Sequence, residues 1–293
     1  MPTGPRGSVL MTRRDTTLIE QYGGMVLGTL DESNAVQMLL GSIKKHRAVD
    51  THDAHSTVTD AARVVKRLGY LPLAINEAAH YVASTRKGSH ADFIADYEQH
   101  EGLHTTSGTI DDQTGESLES ANQDVLWNMC FNSFRAHQQS LFNALSFFDP
   151  TGVPLDLIHN GARQAKGDGS DFWRFLRDEQ RIETSLDALT RQLMRKNDES
   201  GHLWMHQIHQ ASAQTNMSIE QRQASWSQAV ALMDGAWPVA ERKKRRRSDL
   251  WDLHTLYLPH IQSLLYWFEN YKDKEITLRI GSRFLHLLIQ AAR

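Results

Sequence analysis

Hydrophobic residues recur at helical spacing along most of the chain, in stretches separated by short polar turns. The clearest stretch, residues 67–82, indicates the end of one helix, a break at Gly69 and a second helix that begins with Pro72. Glycine suits the end of a helix, and proline is tolerated in a first turn, where its missing N–H has no partner to lose. One face of the second helix is apolar and contains Leu71, Ile75, Ala78, Ala79 and Val82. This spacing predicts a tightly packed pair of helices.

The same periodicity predicts a mainly α fold, with few strands. Asp31 is placed to cap the first helix, and Pro259 is expected to interrupt the helix over 251–268. Turn residues at 195–202, followed by an apolar run at 203–205, predict a hairpin. Further strands are predicted at 8–11 and 24–28. The predicted helices cover residues 31–45, 57–68, 71–84, 91–101, 122–134, 137–148, 155–162, 172–176, 185–194, 207–217, 218–237, 251–268 and 276–292.

Composition excludes several classes of protein. The net charge of −3 over 293 residues gives no overall field that favours nucleic acid or an anionic membrane. No apolar run approaches the ~20 residues of a membrane span, and no apolar segment follows Met1 as in a signal peptide. A cytoplasmic protein without membrane partners is therefore expected.

The single cysteine, Cys130, excludes an intramolecular disulfide and a cysteine-rich zinc site. Because it lies in the apolar run 126–131, a buried inert thiol is expected rather than a nucleophile. The histidine pairs at 52/55 and 206/209 have no further ligand at a recognised spacing, so no metal site is predicted.

A basic run at 242–247 leaves three interpretations open. It forms a solvated loop, a nuclear-localisation patch or a contact with nucleic acid. The nuclear interpretation would place the protein in the nucleus rather than the cytoplasm.

Residues 68–75, Leu-Gly-Tyr-Leu-Pro-Leu-Ala-Ile, resemble the GLPLA motif of the NB-ARC nucleotide-switch ATPases of the STAND class. The likeness is to fungal proteins that pair NB-ARC with tetratricopeptide repeats, and other features follow in the order of that family. Residues 7–14 resemble its sensor strand, 204–209 resemble its MHD motif, and 284–292 resemble the entry to a repeat array.

This resemblance implies a division of the chain into lobes. Residues 1–29 would be the remnant of a nucleotide-binding domain, with a small β-edge. A helical lobe would follow over 30–103, and a winged-helix lobe over 118–217. Residues 104–117, rich in Gly, Ser, Thr and Asp, would link the two lobes. Residues 218–293 would form a helical segment leading into tetratricopeptide-like repeats.

The resemblance also implies residues that bind ADP or ATP. Arg14 matches the sensor arginine near the γ-phosphate, Leu71 and Pro72 match the GLPLA motif, and His206 matches the histidine that contacts the β-phosphate. Gln207 replaces the family's aspartate after that histidine.

The phosphate-binding motif Gly-x-x-x-x-Gly-Lys-(Ser/Thr) does not occur in this sequence. Without that loop and the Mg²⁺ ligands, phosphoryl transfer loses its main electrostatic stabilisers. A non-catalytic scaffold or signalling protein is therefore expected, with protein partners and with no cofactor in isolation. The alternative is part of a regulatory ATPase that binds ADP or ATP once the missing half is supplied. A winged-helix DNA-binding protein is a weaker alternative, because the predicted helix 185–194 carries few basic residues.

Overall fold

Helices dominate the computed structural model, as the sequence predicts. It describes residues 23–46, 54–84, 89–106, 118–165, 169–197, 199–238, 247–273 and 278–292. The helices in these ranges are α1 (Glu32–His46), α2 (Ala54–Arg67), α3 (Pro72–Ser84), α4 (His90–Thr106), α5 (Leu118–Ser133), α6 (Ala136–Leu145), α7 (Leu155–Gln164), α8 (Asp171–Leu176), α9 (Glu179–Thr190), α10 (Gln207–Asn216), α11 (Ile219–Ala236), α12 (Arg247–Asp273) and α13 (Ser282–Ala291). The strands are β1 (Val153–Pro154), β2 (Met194–Asn197) and β3 (His202–Met205). None of the described helices is long and apolar enough to cross a membrane.

Helices α1, α2 and α3 form the first packed group. Asp31 caps α1 as predicted, because its Oδ1 accepts a hydrogen bond from the Asn34 amide at 2.9 Å. The alanines of α3 are buried where α1 packs against it, and small side chains allow that close approach. The core of this group also contains Leu39, Val64 and Leu68.

The turn between α2 and α3 places two consecutive residues in the left-handed region, Gly69 at φ 64° and Tyr70 at φ 59°. A non-glycine residue is strained there, so other contacts must hold it. The Tyr70 carbonyl accepts from the Leu30 amide at 3.1 Å, and its hydroxyl donates to Glu32 at 3.3 Å. The start of α1 therefore holds the turn that precedes Pro72.

Helix α5 joins the first group of helices to the rest of the chain. It packs against α3 and α4, which precede it in sequence, and against α10, which follows it. The proposed linker lies in sequence between α4 and α5, yet the two helices are in direct contact. The helices also extend further into the polar segment than predicted, to Thr106 and from Leu118.

The central region, residues 136–236, surrounds a three-stranded antiparallel sheet of order β1-β3-β2. The predicted hairpin is confirmed: Met194 pairs with Met205, and Asn197 pairs with His202. The strand β1 was not predicted, because a two-residue segment that ends in proline is too short to show the alternation of a strand. It is held by the pairing of Val153 with Leu203.

Two glycines bring α7 and α11 into backbone contact within the central region. A Cβ added at Gly161 would lie 2.5 Å from the Leu232 carbonyl oxygen. A Cβ added at Gly235 would lie 2.8 Å from the Gly161 carbonyl oxygen. Only glycine permits this approach, which holds the two helices together.

Helix α12 runs without interruption through Pro259, so the predicted break is wrong. Proline removes one hydrogen bond from a helix interior. Here the residues on both sides are anchored by burial of Tyr257, His260, Ile261 and Leu264. Packing against the central region therefore maintains the helix despite the proline.

Other predictions also differ from the structure. Residues 24–28 form no strand, and Met25 and Leu27 are 78% and 82% exposed, because no strand among the described residues pairs with them. The predicted strand at 8–11 lies outside the described residues. Helix α9 covers Glu179–Thr190 instead of 185–194, since Asp178 caps it and Met194 begins β2. Helix α13 begins at Ser282 rather than at 276.

Candidate functional site at the junction of α3, α5 and α10

The charged residue Glu77 lies in the interior of the protein, on the buried side of α3. Its side chain is only 1% exposed, and the neighbouring Ala74, Ala78 and Ala79 of the same helix are also buried. A carboxylate is almost never buried to this degree without partners, because it loses its hydration. The surroundings of Glu77 therefore form a candidate site.

Two side chains from other helices bind the Glu77 carboxylate. Gln123 of α5 donates from Nε2 to both oxygens, at 3.0 and 2.8 Å. His209 of α10 places its Nε2 at 2.9 Å from Oε1. Because a carboxylate accepts, this nitrogen carries the hydrogen. Three helices are thus joined through one acid, and we call Glu77, Gln123 and His209 the acid cluster.

The second ring nitrogen of His209 completes the description of the acid cluster. Nδ1 is buried and has no hydrogen-bond partner among the described residues. His209 as a whole is only 3% exposed. A buried polar atom without a partner reduces stability by about 1–3 kcal/mol. This cost lowers the net stabilisation that the acid cluster gives to the junction.

His206 lies next to the acid cluster and begins α10. Its Nδ1 accepts a hydrogen bond from the Ile208 amide at 3.2 Å, which makes it the N-cap of the helix. The ring centroids of His206 and His209 are 6.0 Å apart. Desolvation lowers the pKa of His206, and the neighbouring His209 lowers it further, whereas Glu77 opposes both. A lowered pKa suits the cap, because Nδ1 can accept only when it is unprotonated.

Further polar contacts extend the junction along α3 and α5. Gln192 donates to the Ser84 hydroxyl at 3.2 Å and accepts from the Ser133 hydroxyl at 3.3 Å. Ser212 of α10 donates to Asp124 of α5 at 3.3 Å. The segment after α9 is therefore bonded to both α3 and α5, and α10 is bonded to α5.

The structure brings together the segments that contain three of the four predicted binding residues. Pro72 is the exposed first residue of α3, and Leu71 is half-buried, with its carbonyl accepting from Ile75 at 3.0 Å. His206 is exposed at the start of α10. The bond between Glu77 and His209 joins α3 to α10. Arg14 lies outside the described residues.

Sequence reasoning missed the acid cluster itself. The available signal was one charged residue in the helical stretch 74–79, whose other members are alanine or isoleucine apart from Asn76. Gln123 carried no signal, because a polar residue near a helix start is ordinary. His209 gives only the signal of a histidine pair with His206.

The thiol of Cys130 is close to the acid cluster and buried. It is fully buried, and burial raises its pKa well above the usual value, with the charge of Glu77 adding to the effect. The prediction of a buried thiol is confirmed. No group of three or more potential metal ligands occurs among the residues that the structure describes.

Comparison with known proteins gives one partial match. A family model described as a domain of unknown function (DUF7779) matches residues 129–222. This segment runs from the end of α5 to the start of α11, so it includes His206 and His209 but neither Glu77 nor Gln123. No curated protein matches the chain.

Proposed function

We propose that this chain is a non-catalytic interaction or scaffold protein related to the NB-ARC switch proteins. In this proposal α1–α4 correspond to the helical lobe, and the region with the β2–β3 hairpin corresponds to the winged-helix lobe. Switch proteins of this kind transmit a signal when such lobes change their relative position. The chain would work in the cytoplasm, or in the nucleus if the basic run 242–247 is a localisation signal.

The acid cluster is the observation that supports this proposal most directly. It joins α3, which follows the motif-like turn 69–72, to α10, which follows the motif-like residue His206. Two segments far apart in sequence thus meet at a polar contact between lobes. A buried network of charge and hydrogen bonds specifies one discrete arrangement of the helices that it joins, and a switch requires such discrete arrangements.

Exposed apolar side chains support a role in binding other proteins. Leu285 and Ile289 are one helical turn apart on α13 and are 51% and 55% exposed. If residues 284–292 are the entry to a repeat array, as the resemblance implies, further repeats would pack on this helix. Exposed apolar surface of this kind is characteristic of protein interaction sites.

The second candidate is a regulatory protein that binds ADP or ATP, and the exposure of Pro72 and His206 favours it. Pro72 is the first residue of α3 and His206 is the N-cap of α10, and both are exposed and therefore accessible to a ligand. The absence of the phosphate-binding motif from this sequence argues for the first candidate. DNA binding gains no support, because α9 carries Glu179, Glu183 and Asp187 against Arg181.

Isothermal titration of the full chain with ADP and with ATP–Mg²⁺ tests the proposal. We expect no binding up to about 1 mM nucleotide, since most charge-assisted phosphate contacts are missing. Micromolar binding that is lost in His206→Ala would favour the second candidate instead. A phosphate-binding motif encoded in frame upstream of Met1 would do the same.

A further inference from the structure

A crevice of about 390 Å³ lies between α12 and the loop that joins α6 to β1. Asp149 and Thr151 of this loop line it, together with His202 of β3 and Asp252 of α12. We call it the α12 crevice. Its volume falls within the range of about 300–1,000 Å³ that is typical of ligand pockets. None of its described lining residues belongs to the acid cluster, so it is separate from the junction of α3, α5 and α10.

The two carboxylates of the α12 crevice are accessible to solvent. Asp252 and Thr255, about one turn apart on α12, are exposed, and Asp149 is half-buried. Oδ1 of Asp149 accepts hydrogen bonds from the amide and the hydroxyl of Thr151. Neither Asp252 nor Oδ2 of Asp149 has a hydrogen-bond or ion-pair partner among the described residues. A molecule in the crevice can therefore reach both carboxylates.

The α12 crevice is acidic. Among the described residues that line it, none is a lysine or an arginine. The buried His260 is neutral, because its Nδ1 accepts a hydrogen bond from the Asp149 amide at 3.2 Å. The ring of His202 lies against Gly152, where an added Cβ would be 3.2 Å from its Nδ1. Carboxylates on a concave surface with no counter-charge in the lining attract positively charged ligands.

The two acids lie at different levels of the crevice along α12. Asp252 is eight residues before His260, which corresponds to about 12 Å along the helix axis. The loop that contains Asp149 contacts the helix at His260, through the hydrogen bond from the Asp149 amide. A ligand with two cationic groups can therefore meet one carboxylate with each.

Apolar side chains continue this surface next to the crevice. Trp251 is 72% exposed and Leu258 is 40% exposed. The spacing i, i+4, i+7 places them on one side of α12 with Thr255, which lines the crevice. Leu256 and Pro259 are also part of the lining. Tryptophan is enriched among the residues that contribute most to protein interfaces, so the surface suits a peptide with both cationic and apolar side chains.

We propose that the α12 crevice and the neighbouring Trp251 and Leu258 bind a basic peptide segment of another protein, in which lysine or arginine alternates with apolar residues. The cationic side chains meet Asp149 and Asp252, and their aliphatic stems lie along the apolar lining. An apolar side chain of the segment packs on Trp251 and Leu258. This surface is additional to the one on α13, and it does not depend on a relation to the switch proteins.

Fluorescence anisotropy with the full chain tests this surface. The probe is a fluorescein-labelled peptide of sequence Gly-Arg-Leu-Arg-Phe-Arg-Gly, which alternates the two kinds of side chain. It is titrated with the chain up to about 300 µM, which covers micromolar dissociation constants. A buffer of about pH 8 lies well above the ordinary pKa of histidine, so imidazole charge does not oppose the peptide. We expect saturable binding that weakens at least about threefold between about 0.1 M and about 0.5 M salt, because salt screens exposed charges.

Three further probes separate charge from apolar contact. A peptide with glutamate in place of each arginine should not bind, because the carboxylates repel it. A peptide with glycine in place of leucine and phenylalanine should bind about tenfold more weakly, since it loses the contact with Trp251. Spermidine, which offers cations alone, should compete only at concentrations at least about tenfold above those of unlabelled peptide. Equal binding of the glycine peptide, or equal competition by spermidine, would show that the surface recognises charge alone and would contradict the proposal.

Trp251→Ala and Asp252→Asn change one contact each at exposed positions, where a substitution has little effect on folding. We expect about tenfold weaker binding for Trp251→Ala, as for a tryptophan at the centre of an interface. About threefold weaker binding is expected for Asp252→Asn, because exposed ion pairs are weak.

Ile219→Ala and Asp187→Asn are the matched controls, since they make similar changes at exposed positions outside the crevice. Ile219 begins α11 near the opposite end of α12 from Trp251, where Arg222 stacks on Tyr271. Both controls should leave the affinity unchanged. Absence of binding, or affinities in Trp251→Ala and Asp252→Asn equal to those of their controls, would overturn the proposal.

Discussion

His209 and His260 are both buried where the central region packs against another part of the chain. Their hydrogen-bond partners differ in kind. At the junction with α3, His209 donates to the carboxylate of Glu77 at 2.9 Å. At the junction with α12, the Nδ1 of His260 accepts a hydrogen bond from the Asp149 amide at 3.2 Å. The first histidine meets a negative charge, and the second meets a backbone donor that requires a free lone pair.

Within the part of the chain that the structure describes, no ion pair lies at the centre of the junction with α12. His260 is 2% exposed and packs edge-on against Phe148, with ring centroids 5.6 Å apart. Ser263 donates to the Phe147 carbonyl at 2.9 Å, which is again a bond to the backbone. Desolvation lowers the pKa of His260 to about 4, and His202 adds to this, while Asp149 and the Gly152 carbonyl oppose it.

The comparison shows that a buried histidine can serve two kinds of contact. The α3 junction depends on keeping a charge paired, so it is sensitive to loss of the acid. The α12 junction depends on keeping an imidazole neutral, so it is sensitive to acid pH. Changes at each junction should therefore separate the two dependences.

The largest expected effect comes from Glu77→Ala. It leaves Gln123 and His209 buried without their partner, and removal of one member of a buried pair destabilises by about 3–5 kcal/mol. The free energy of unfolding in urea measures this loss. Glu77→Gln, which keeps an acceptor oxygen, should lose less.

Glu98→Ala in α4 is the matched control, because Glu98 is an exposed acid. It should change the free energy of unfolding by no more than about 0.5 kcal/mol. If Glu77→Ala were as mild as this control, the acid cluster would contribute nothing to the junction.

The second effect is a loss of stability on acidification that depends on His260. Its pKa is lowered on folding from 6.5 to about 4, so the unfolded chain binds more protons between these values. The stability that His260 contributes is therefore complete above pH 6.5 and decreases as the pH falls toward 4. The total change corresponds to about 3 kcal/mol.

His260→Gln isolates this contribution, since glutamine can accept from the Asp149 amide but does not titrate. Unfolding free energies of the two proteins, measured between about pH 7 and pH 4, should converge as the pH falls. Parallel curves would contradict the assignment of the pH dependence to the α12 junction.

The smallest effect concerns His206 and refines the description of the α3 junction. His206→Ala removes the N-cap of α10, which should reduce the free energy of unfolding by about 1 kcal/mol. Because the pKa of His206 is lowered, the cap contributes fully above the pKa of the unfolded chain. Its contribution is lost as the pH falls, when Nδ1 becomes protonated.

Urea unfolding at about pH 8 and about pH 5 measures this dependence, and the difference between wild type and His206→Ala should shrink at the lower pH. His206→Asn should retain the cap at both pH values, since asparagine is a good N-cap that does not titrate. An equal loss in His206→Ala and His206→Asn would show that the side chain does not act as a cap.

Local sequence signals determined most of the helices and the hairpin. Asp31, Gly69 and Pro72 marked helix ends correctly because capping and backbone freedom act within a few residues. The start of α9 was missed because Asp178 was not recognised as its cap. The prediction of a strand at 24–28 is wrong because a strand needs a partner strand. An apolar pattern within one segment does not show whether that partner exists.

The sequence by itself determined a mainly α chain, the turn at Gly69 and the burial of Cys130, since periodicity and turn chemistry are local properties. Only the tertiary structure decided that α12 continues through Pro259, that Gly161 meets Leu232, and that Glu77 binds Gln123 and His209. Each of these depends on residues that are distant in sequence but adjacent in space. Burial, which makes a lone glutamate significant, exists only once the helices have packed.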